Sequence, residues 1–88
     1  ADVLVLVEGE VEAAAVARLC RRAARAAVDY SRRSLKARMR GANRLGVRWV
    51  VLASAEEAAR RVVQLKEMAG GEQEEVSWDD LPERLARR

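Results

Sequence analysis

The stretch that decides the fold is residues 32–53, RRSLKARMRGANRLGVRWVVLA, which predicts a capped basic helix followed by a buried strand. Ser34 offers a side-chain oxygen to the free backbone N–H groups of a helix N-terminus. Gly46 is suited to end the helix, because glycine readily adopts the left-handed conformation common at helix C-termini. The β-branched and aromatic residues at 47–53 then predict a strand.

The predicted helix has two different faces. Apolar or small residues at helical spacing predict a buried stripe, and we expect its long side chains, Leu35 and Met39, to lie under the helix. The stripe consists of Leu35, Met39, Ala42 and Gly46. A basic flank lies roughly 100–180° around the helix from this stripe. The flank consists of Lys36, Arg40 and Arg44, with Asn43 beside them.

The residues before this stretch predict a strand, a helix and a second strand. Residues 2–7 form a short apolar run, as in parallel sheets covered on both faces. After the turn at residues 8–10, residues 11–25 predict a helix with apolar residues on one side and arginines on another. Residues 26–31 predict the second strand. Short connections between alternating strands and helices indicate a parallel core sheet.

The residues after this stretch predict a hairpin and a last helix. Residues 55–61 are polar and alanine-rich and predict a helical turn or loop. Segments 61–68 and 72–77 flank a glycine-containing turn and predict an antiparallel hairpin. Ser77 and Asp80 have the spacing of a helix capping box, and Pro82 suits the first turn of a helix. Residues 1–88 are therefore predicted to form one α/β domain.

Charge is distributed unevenly along the chain, although the net charge is only +3. Residues 13–55 hold eleven basic residues and one acid, about +10, and the rest holds six basic residues and thirteen acids, about −7. Such asymmetry favours a polyanionic partner, nucleic acid before membrane. The alternative is an arginine-rich surface that serves only solubility.

The residue types argue against catalysis by this chain. Without histidine it has no imidazole base and no usual zinc set, and it has no glycine-rich phosphate-binding motif. Asp79 and Asp80 are adjacent, so helix capping explains them better than paired catalytic carboxylates. We expect no metal site and no cofactor in this domain.

Three further features concern the core and the cell compartment. We expect Cys20, the single cysteine, to be a buried core thiol. No apolar run approaches the ~20 residues of a membrane span. The chain starts without Met and without the basic segment of a signal peptide, so we expect a C-terminal piece of a longer cytoplasmic protein. Trp49 and Trp78 are expected in the core, which leaves Tyr30 as the one aromatic residue with a chance of exposure near the basic face.

Two segments of the chain resemble the C-terminal anticodon-binding domain of bacterial histidyl-tRNA synthetases. The segment SLKARMRGANRLGVRWVVLA is similar to the family's SLKKQMKYADKLGARYVVILG. The segment VVQLKEMAGGEQEEVSWDDLPERL is similar to VVTLKDMATGEQEEVPLDELVERL, and DVLVLVEGE fits DVYVVPLGEE more loosely. Together these pieces cover nearly the whole chain.

The resemblance implies a fold and a set of partners. The fold is a mixed five-stranded sheet with three helices, in the order βαβαβ-ββα. The implied partners are the anticodon stem-loop of a tRNA and the catalytic domain of a parent histidine–tRNA ligase, expected to be a cytoplasmic homodimer, in which ATP and histidine chemistry takes place. The resemblance places RNA-binding residues at Arg32, Arg33, Ser34, Lys36, Arg40, Asn43, Arg44, Glu57 and Lys66.

Several positions depart from the family pattern. Residues 54–57 read Ser-Ala-Glu-Glu where the family has Gly-Glu-Asp-Glu. Gly41 stands where the family's helix has an aromatic residue, and Arg61 stands where it has glycine. These departures leave open which tRNA is read. They also leave an alternative function, a synthetase-like regulatory or protein-interaction module that kept the fold without tRNA recognition.

Overall fold

The computed structural model describes residues 2–8, 13–31 and 33–87. Predictions for the turn and helix start at 9–12 and for Arg32 fall outside these ranges. Within them, the chain forms five strands and four helices. They are β1 (Val3–Glu8), α1 (Ala13–Arg21), β2 (Ala26–Asp29), α2 (Leu35–Leu45), β3 (Trp49–Ser54), α3 (Ala55–Ala59), β4 (Val62–Glu67), β5 (Gln73–Ser77) and α4 (Leu81–Ala86).

The strands form one mixed sheet in the order β2-β1-β3-β4-β5. β1 pairs in parallel with β2 and with β3, while β3–β4 and β4–β5 are antiparallel. This arrangement confirms the predicted parallel core sheet, the hairpin and the mixed five-stranded α/β fold. Because β1 and β3 lie inside the sheet, their continuous apolar sequences can be buried on both faces.

Each face of the sheet has its own helices and its own core. One face carries the larger core, in which Val16 and Cys20 of α1 and Leu81 and Leu85 of α4 pack on the strands. The opposite face carries a smaller core under α2, built from Leu4, Leu6, Val47 and Val50 around Ala42. The alternation of side chains along each strand supplies both layers. α1 and α4 therefore cover one face of the sheet, and α2 covers the smaller core on the other.

The predicted buried stripe of α2 is wrong in part. Ala42 is fully buried, but Leu35 is 39% exposed and Met39 only half-buried, while Arg38 is 6% exposed. Arg38 lies four residues before Ala42 on the same face, and its guanidinium reaches polar atoms at the end of β1. Arg38, whose two terminal guanidinium nitrogens find polar partners there, takes the buried position, and Leu35 lies at the edge of the helix.

Two short helices near the C-terminal end of the chain differ from the prediction, one in its extent and one in how it begins. The segment expected as a helical turn or loop contains α3, a five-residue helix, so the described ranges hold four helices rather than three. α4 confirms the last helix, but the capping box expected at Ser77 is wrong. The Ser77 hydroxyl accepts a hydrogen bond from the Asp80 N–H (3.2 Å), which closes a turn before the helix. Asp80 is itself the N-cap and makes no side-chain capping bond.

The single thiol and both tryptophans lie where the sequence places them. Cys20 is fully buried, and loss of solvation raises the pKa of its thiol to about 12. Trp49 and Trp78 pack against the larger core, whereas Tyr30 is 75% exposed. An arginine guanidinium lies over each tryptophan ring, Arg48 at 5.1 Å and Arg61 at 4.7 Å from the centroid. Among the described helices, none is both long and apolar enough to cross a membrane.

Candidate nucleic-acid interface

An open groove of about 580 Å³ runs between α2 and the hairpin of β4 and β5. We call it the α2 groove. Four of the residues assigned to RNA binding from the sequence lie along it together, although Lys66 is far from the other three in the chain. The groove is lined by Leu35, Lys36, Met39, Arg40, Asn43, Lys66, Met68 and Gly71.

The α2 groove combines an apolar floor with a basic rim. Leu35, Met39 and Met68 supply apolar surface, while Lys36, Arg40 and Lys66 supply three positive charges. No acidic side chain is among its lining residues. Leu35, which apolar spacing assigned to the core, is therefore part of this floor. A surface of this kind can contact apolar groups of a ligand with its floor and the charges of a polyanion with its rim.

Helix capping and strand register explain how the groove is assembled. The Ser34 hydroxyl accepts a hydrogen bond from the Ala37 N–H (3.2 Å), and Gly46 ends the helix in the left-handed conformation (φ 71°). Between these caps, Lys36 and Arg40 lie one turn apart on the same flank. Lys66 pairs with Val50 across β3 and β4, so it shares the sheet face that α2 covers. Arg44 is exposed in the last turn and is not among the groove residues.

A second cavity, of about 500 Å³, lies where β1 and β2 end and α2 begins. We call it the polar pocket. Arg33 and Ser34, both assigned to RNA binding from the sequence, line it, and Leu35 lines both the polar pocket and the α2 groove, so the two adjoin. The other lining residues are Val7, Glu8, Asp29, Tyr30, Ser31 and Arg38.

Arg38 anchors α2 at the polar pocket. Its Nη1 donates a hydrogen bond to the Val7 carbonyl oxygen (3.0 Å), and its Nη2 lies 3.6 Å from the Glu8 carboxylate. Its Nε is buried and has no hydrogen-bond partner among the described residues. The apolar spacing of α2 did not predict that Arg38 is buried. The one sequence feature that indicates its burial is its position one turn before Ala42, on the buried face of the helix.

Asp29 forms the β2 side of the polar pocket. Burial acts to raise the pKa of its carboxyl group, but a 2.7 Å hydrogen bond from the Ser31 N–H and the charges of Arg33 and Arg38 together hold that pKa below its ordinary value. The Ser31 hydroxyl beside the carboxylate also lowers this pKa. Asp29 is therefore a carboxylate acceptor at neutral pH.

Glu57 has a structural role at the end of β3. Its carboxylate accepts hydrogen bonds from the Ser54 N–H (3.3 Å) and hydroxyl (3.0 Å), and the Ser54 hydroxyl accepts one from the Glu57 N–H. The other carboxylate oxygen accepts from Gln64 Nε2 (3.0 Å). Glu57 and Gln64 line a third, smaller cavity that Leu35 also lines. The three cavities therefore meet at Leu35.

The basic half of the sequence is divided between two surfaces. α1, with the exposed residues Arg18, Arg21 and Arg22 in its last turn and just beyond, packs on the sheet face opposite α2. The positive charges that adjoin in sequence therefore do not form one patch, and only those of α2 and β4 meet at the groove. Within the described ranges, no three His, Cys, Asp or Glu side chains are arranged to hold a metal ion.

Comparison with known proteins identifies the family. A family model described as an anticodon binding domain matches residues 2–88. A histidine–tRNA ligase from Desulforudis audaxviator is 42% identical over 59 residues, which are 67% of this chain and 14% of that protein. A histidine–tRNA ligase from Bacillus cytotoxicus is 38% identical over 60 residues, again 14% of its length. The chain thus spans only a small part of the relatives that it matches.

Solved structures agree with the sequence relatives. The histidyl-tRNA synthetase from Nostoc sp. PCC 7120 superposes on the whole chain with a TM-score of 0.86 and 29% identity, and the match covers 21% of that protein. The RNA binding domain of threonyl-tRNA synthetase from Cryptosporidium parvum covers 97% of the chain, with a TM-score of 0.84 and 28% identity; the match spans 22% of that structure. With a family match over nearly every residue and this agreement in fold, the chain belongs to the anticodon binding domain family.

Proposed function

We propose that this chain binds the anticodon stem-loop of a tRNA through the α2 groove and has no catalytic activity of its own. The observation that carries the proposal is the rim formed by Lys36, Arg40 and Lys66 over an apolar floor, without an acidic lining residue. In single-stranded RNA loops the bases are unstacked and lie close to the phosphates, so apolar and cationic groups can be contacted together. Double-stranded stems keep their base faces stacked, so they offer phosphates, sugars and base edges but no free base faces to such a groove.

Each part of the groove has a distinct task in this proposal. The three cations attract phosphates, and Arg40 adds a planar face on which a base can stack. The side chains of Leu35, Met39 and Met68 contact the faces of unstacked bases. The Asn43 amide, which has both donors and acceptors, can bind a base edge.

We also propose that the parent protein is a histidyl-tRNA synthetase or a close relative. The support is the match to histidine–tRNA ligases, of which the chain covers about one seventh. In that setting the chain positions a tRNA, while a catalytic domain elsewhere in the parent joins it to histidine. A cytoplasmic, homodimeric parent and a docking contact with the catalytic domain belong to the same proposal.

Salt titration tests the RNA-binding function. We would measure the affinity of the 88-residue chain for an RNA hairpin with a single-stranded loop and for a blunt duplex of the same stem. If three cations each neutralise one loop phosphate, log Kd changes by about 2 per log unit of salt, or about twentyfold between 50 and 200 mM. The hairpin should bind more tightly than the duplex.

Two outcomes would contradict the proposal. Absence of binding to the hairpin even at low salt would favour the alternative, a protein-interaction module that kept the fold. An affinity that does not change with salt would show that the cationic rim does not contact phosphates.

A further inference from the structure

The two kinds of basic residue are distributed differently between the fold and the α2 groove. Of the 17 basic residues only two are lysines, Lys36 and Lys66, and both line the groove. Among the described residues, Arg40 is the one arginine that lines it with them. Two lysines placed at random among the basic positions of the sequence would seldom both fall on the rim of one groove. Their position therefore indicates a property of the amine that arginine does not replace.

The arginines, by contrast, stabilise the fold. Every ion pair within the described ranges is made by an arginine, and an arginine also lies over each tryptophan ring. Neither Lys36 nor Lys66 takes part in these ion pairs, and no carboxylate is among the lining residues of the groove. Loss of the two lysine charges would therefore break no ion pair that the described part of the fold contains.

We propose that the α2 groove is an acylation site, in which Lys36 and Lys66 accept an acyl group from an acyl phosphate. A neutral lysine amine is a nucleophile, whereas the guanidinium of arginine stays charged and has no free lone pair. The lone pair of Nζ attacks the acyl carbonyl carbon. The bond from that carbon to the phosphate oxygen breaks, and its electron pair leaves with inorganic phosphate, which takes up the amine proton. The product is an uncharged amide.

Arg40 supplies the group that holds the phosphate of the donor. It is exposed, lies one turn after Lys36 on the same flank of α2, and forms no ion pair with a described residue. Its planar guanidinium can bind two phosphate oxygens at once. The apolar floor of Leu35, Met39 and Met68 lies in the same groove and can contact the hydrocarbon part of the acyl group. These groups together favour an acyl phosphate over a neutral acyl donor.

Acylation would lower the affinity of the groove for RNA, so this part of the inference rests on the proposed function. The rim has three positive charges in the unmodified chain and one, on Arg40, once both lysines are acylated. Each loop phosphate neutralised contributes about 0.7 to the slope of log Kd against log salt, so the slope should fall from about 2 to about 0.7. Near 0.15 M salt the affinity should fall about fourfold.

The first experiment treats the 88-residue chain with acetyl phosphate. Mass spectrometry should find acetyl groups on Lys36 and Lys66, and the modified chain should bind the hairpin with the lower affinity and slope while its denaturation midpoint stays unchanged. Lys36→Arg with Lys66→Arg keeps both charges, so this variant should bind the hairpin and lose no affinity on treatment. It also corrects for acetylation of the N-terminal amine. Modified wild type that binds with unchanged affinity and slope would overturn the proposal.

The second experiment follows the rate of Lys36 acetylation and needs no RNA. Arg40→Gln should slow this reaction about fourfold at low donor concentration, because the donor carries two negative charges and loses one cationic contact. Arg44→Gln removes the same charge from the same helix but outside the groove, so it should change the rate little. Equal rates in wild type and Arg40→Gln would mean that Arg40 does not hold the donor, and the proposal would fail.

A reference amine and the two separate readouts distinguish this inference from the proposed function. Asp79→Lys places an exposed lysine in the turn before α4, outside the groove, and Lys36 should react severalfold faster than this amine. Equal rates at the two amines would overturn the acylation site even if the hairpin binds with a slope of about 2. A chain that binds no hairpin but is acetylated in an Arg40-dependent reaction would instead overturn the proposed function and keep the acylation site.

Discussion

Reversing two charges on the rim of the α2 groove is the most direct test of the binding surface. Lys36 and Arg40 are both exposed, so water screens their attraction to a phosphate. At about 5 Å in water, two unit charges interact by ~0.8 kcal/mol, and salt near 0.15 M reduces this by about half. Each Glu substitution exchanges one attraction for one repulsion, or ~0.9 kcal/mol. The double variant should therefore lose ~1.8 kcal/mol, about twentyfold in Kd.

A matched pair on the other face of the sheet provides the control. Arg18 and Arg22 are exposed, four residues apart like Lys36 and Arg40, and belong to α1 and the turn after it. Arg18→Glu with Arg22→Glu makes the same change in net charge, so it corrects for the general attraction between protein and RNA. Both double variants should keep the free energy of unfolding within ~0.5 kcal/mol per site, as is usual for surface substitutions.

The assay is hairpin binding by fluorescence anisotropy at one fixed salt concentration. The control should lower affinity far less than the groove variant, because its charges lie across the sheet. Equal losses in the two double variants would mean that only net charge matters. The α2 groove would then have no special place in RNA binding.

Three further substitutions test the packing and the caps. Burial raises the pKa of the Cys20 thiol from 9.0 to about 12, so the unfolded thiol ionises first and the fold loses stability as the pH rises above about 9. Between about pH 8 and 10, the free energy of unfolding of the wild type should fall by ~1.4 kcal/mol more than that of Cys20→Ala. Parallel pH profiles of the two proteins in urea titrations would refute this. Gly41→Ala should raise stability by ~1 kcal/mol, because alanine favours a helix interior over glycine. The added Cβ has room, since it would lie 3.5 Å from Arg33 Nη2, an ordinary contact. A lower melting temperature would contradict this. Ser54→Ala should cost ~1 kcal/mol by breaking the capping box with Glu57, and an unchanged denaturation midpoint would show that the box contributes nothing.

The sheet and the bounds of α2 followed from local sequence signals, whereas α1 was predicted to run to residue 25 and ends at Arg21. The caps at Ser34 and Gly46 bound α2 as expected, because each acts on backbone atoms only a few residues away. The hairpin of β4 and β5 followed from its glycine-containing turn. The position of Lys66 beside α2 depended on a resemblance to a known family, since composition and spacing alone do not reveal which distant segments meet.

The errors have a common physical origin in contacts between distant residues. Apolar periodicity assigned Leu35 to the core and ignored Arg38, because periodicity counts side-chain type and cannot register a carbonyl acceptor that another strand provides. In the fold, Val7 provides it, 31 residues away in the chain. The charge asymmetry was real, but chain order does not show that successive crossovers place α1 and α2 on opposite sheet faces.

The aromatic residues determine what kind of nucleic-acid interface this domain can build. Both tryptophan rings are half-buried and each has a guanidinium over it, so neither offers a free face to a base. Tyr30 is the exposed aromatic residue among those described, and Arg33 lies against α2 beside Gly41. Bases at this surface therefore meet mainly Leu, Met and arginine planes. Because aromatic stacking does not weaken with salt as phosphate contacts do, RNA affinity of this domain should depend on ionic strength more steeply than that of an aromatic platform of similar affinity.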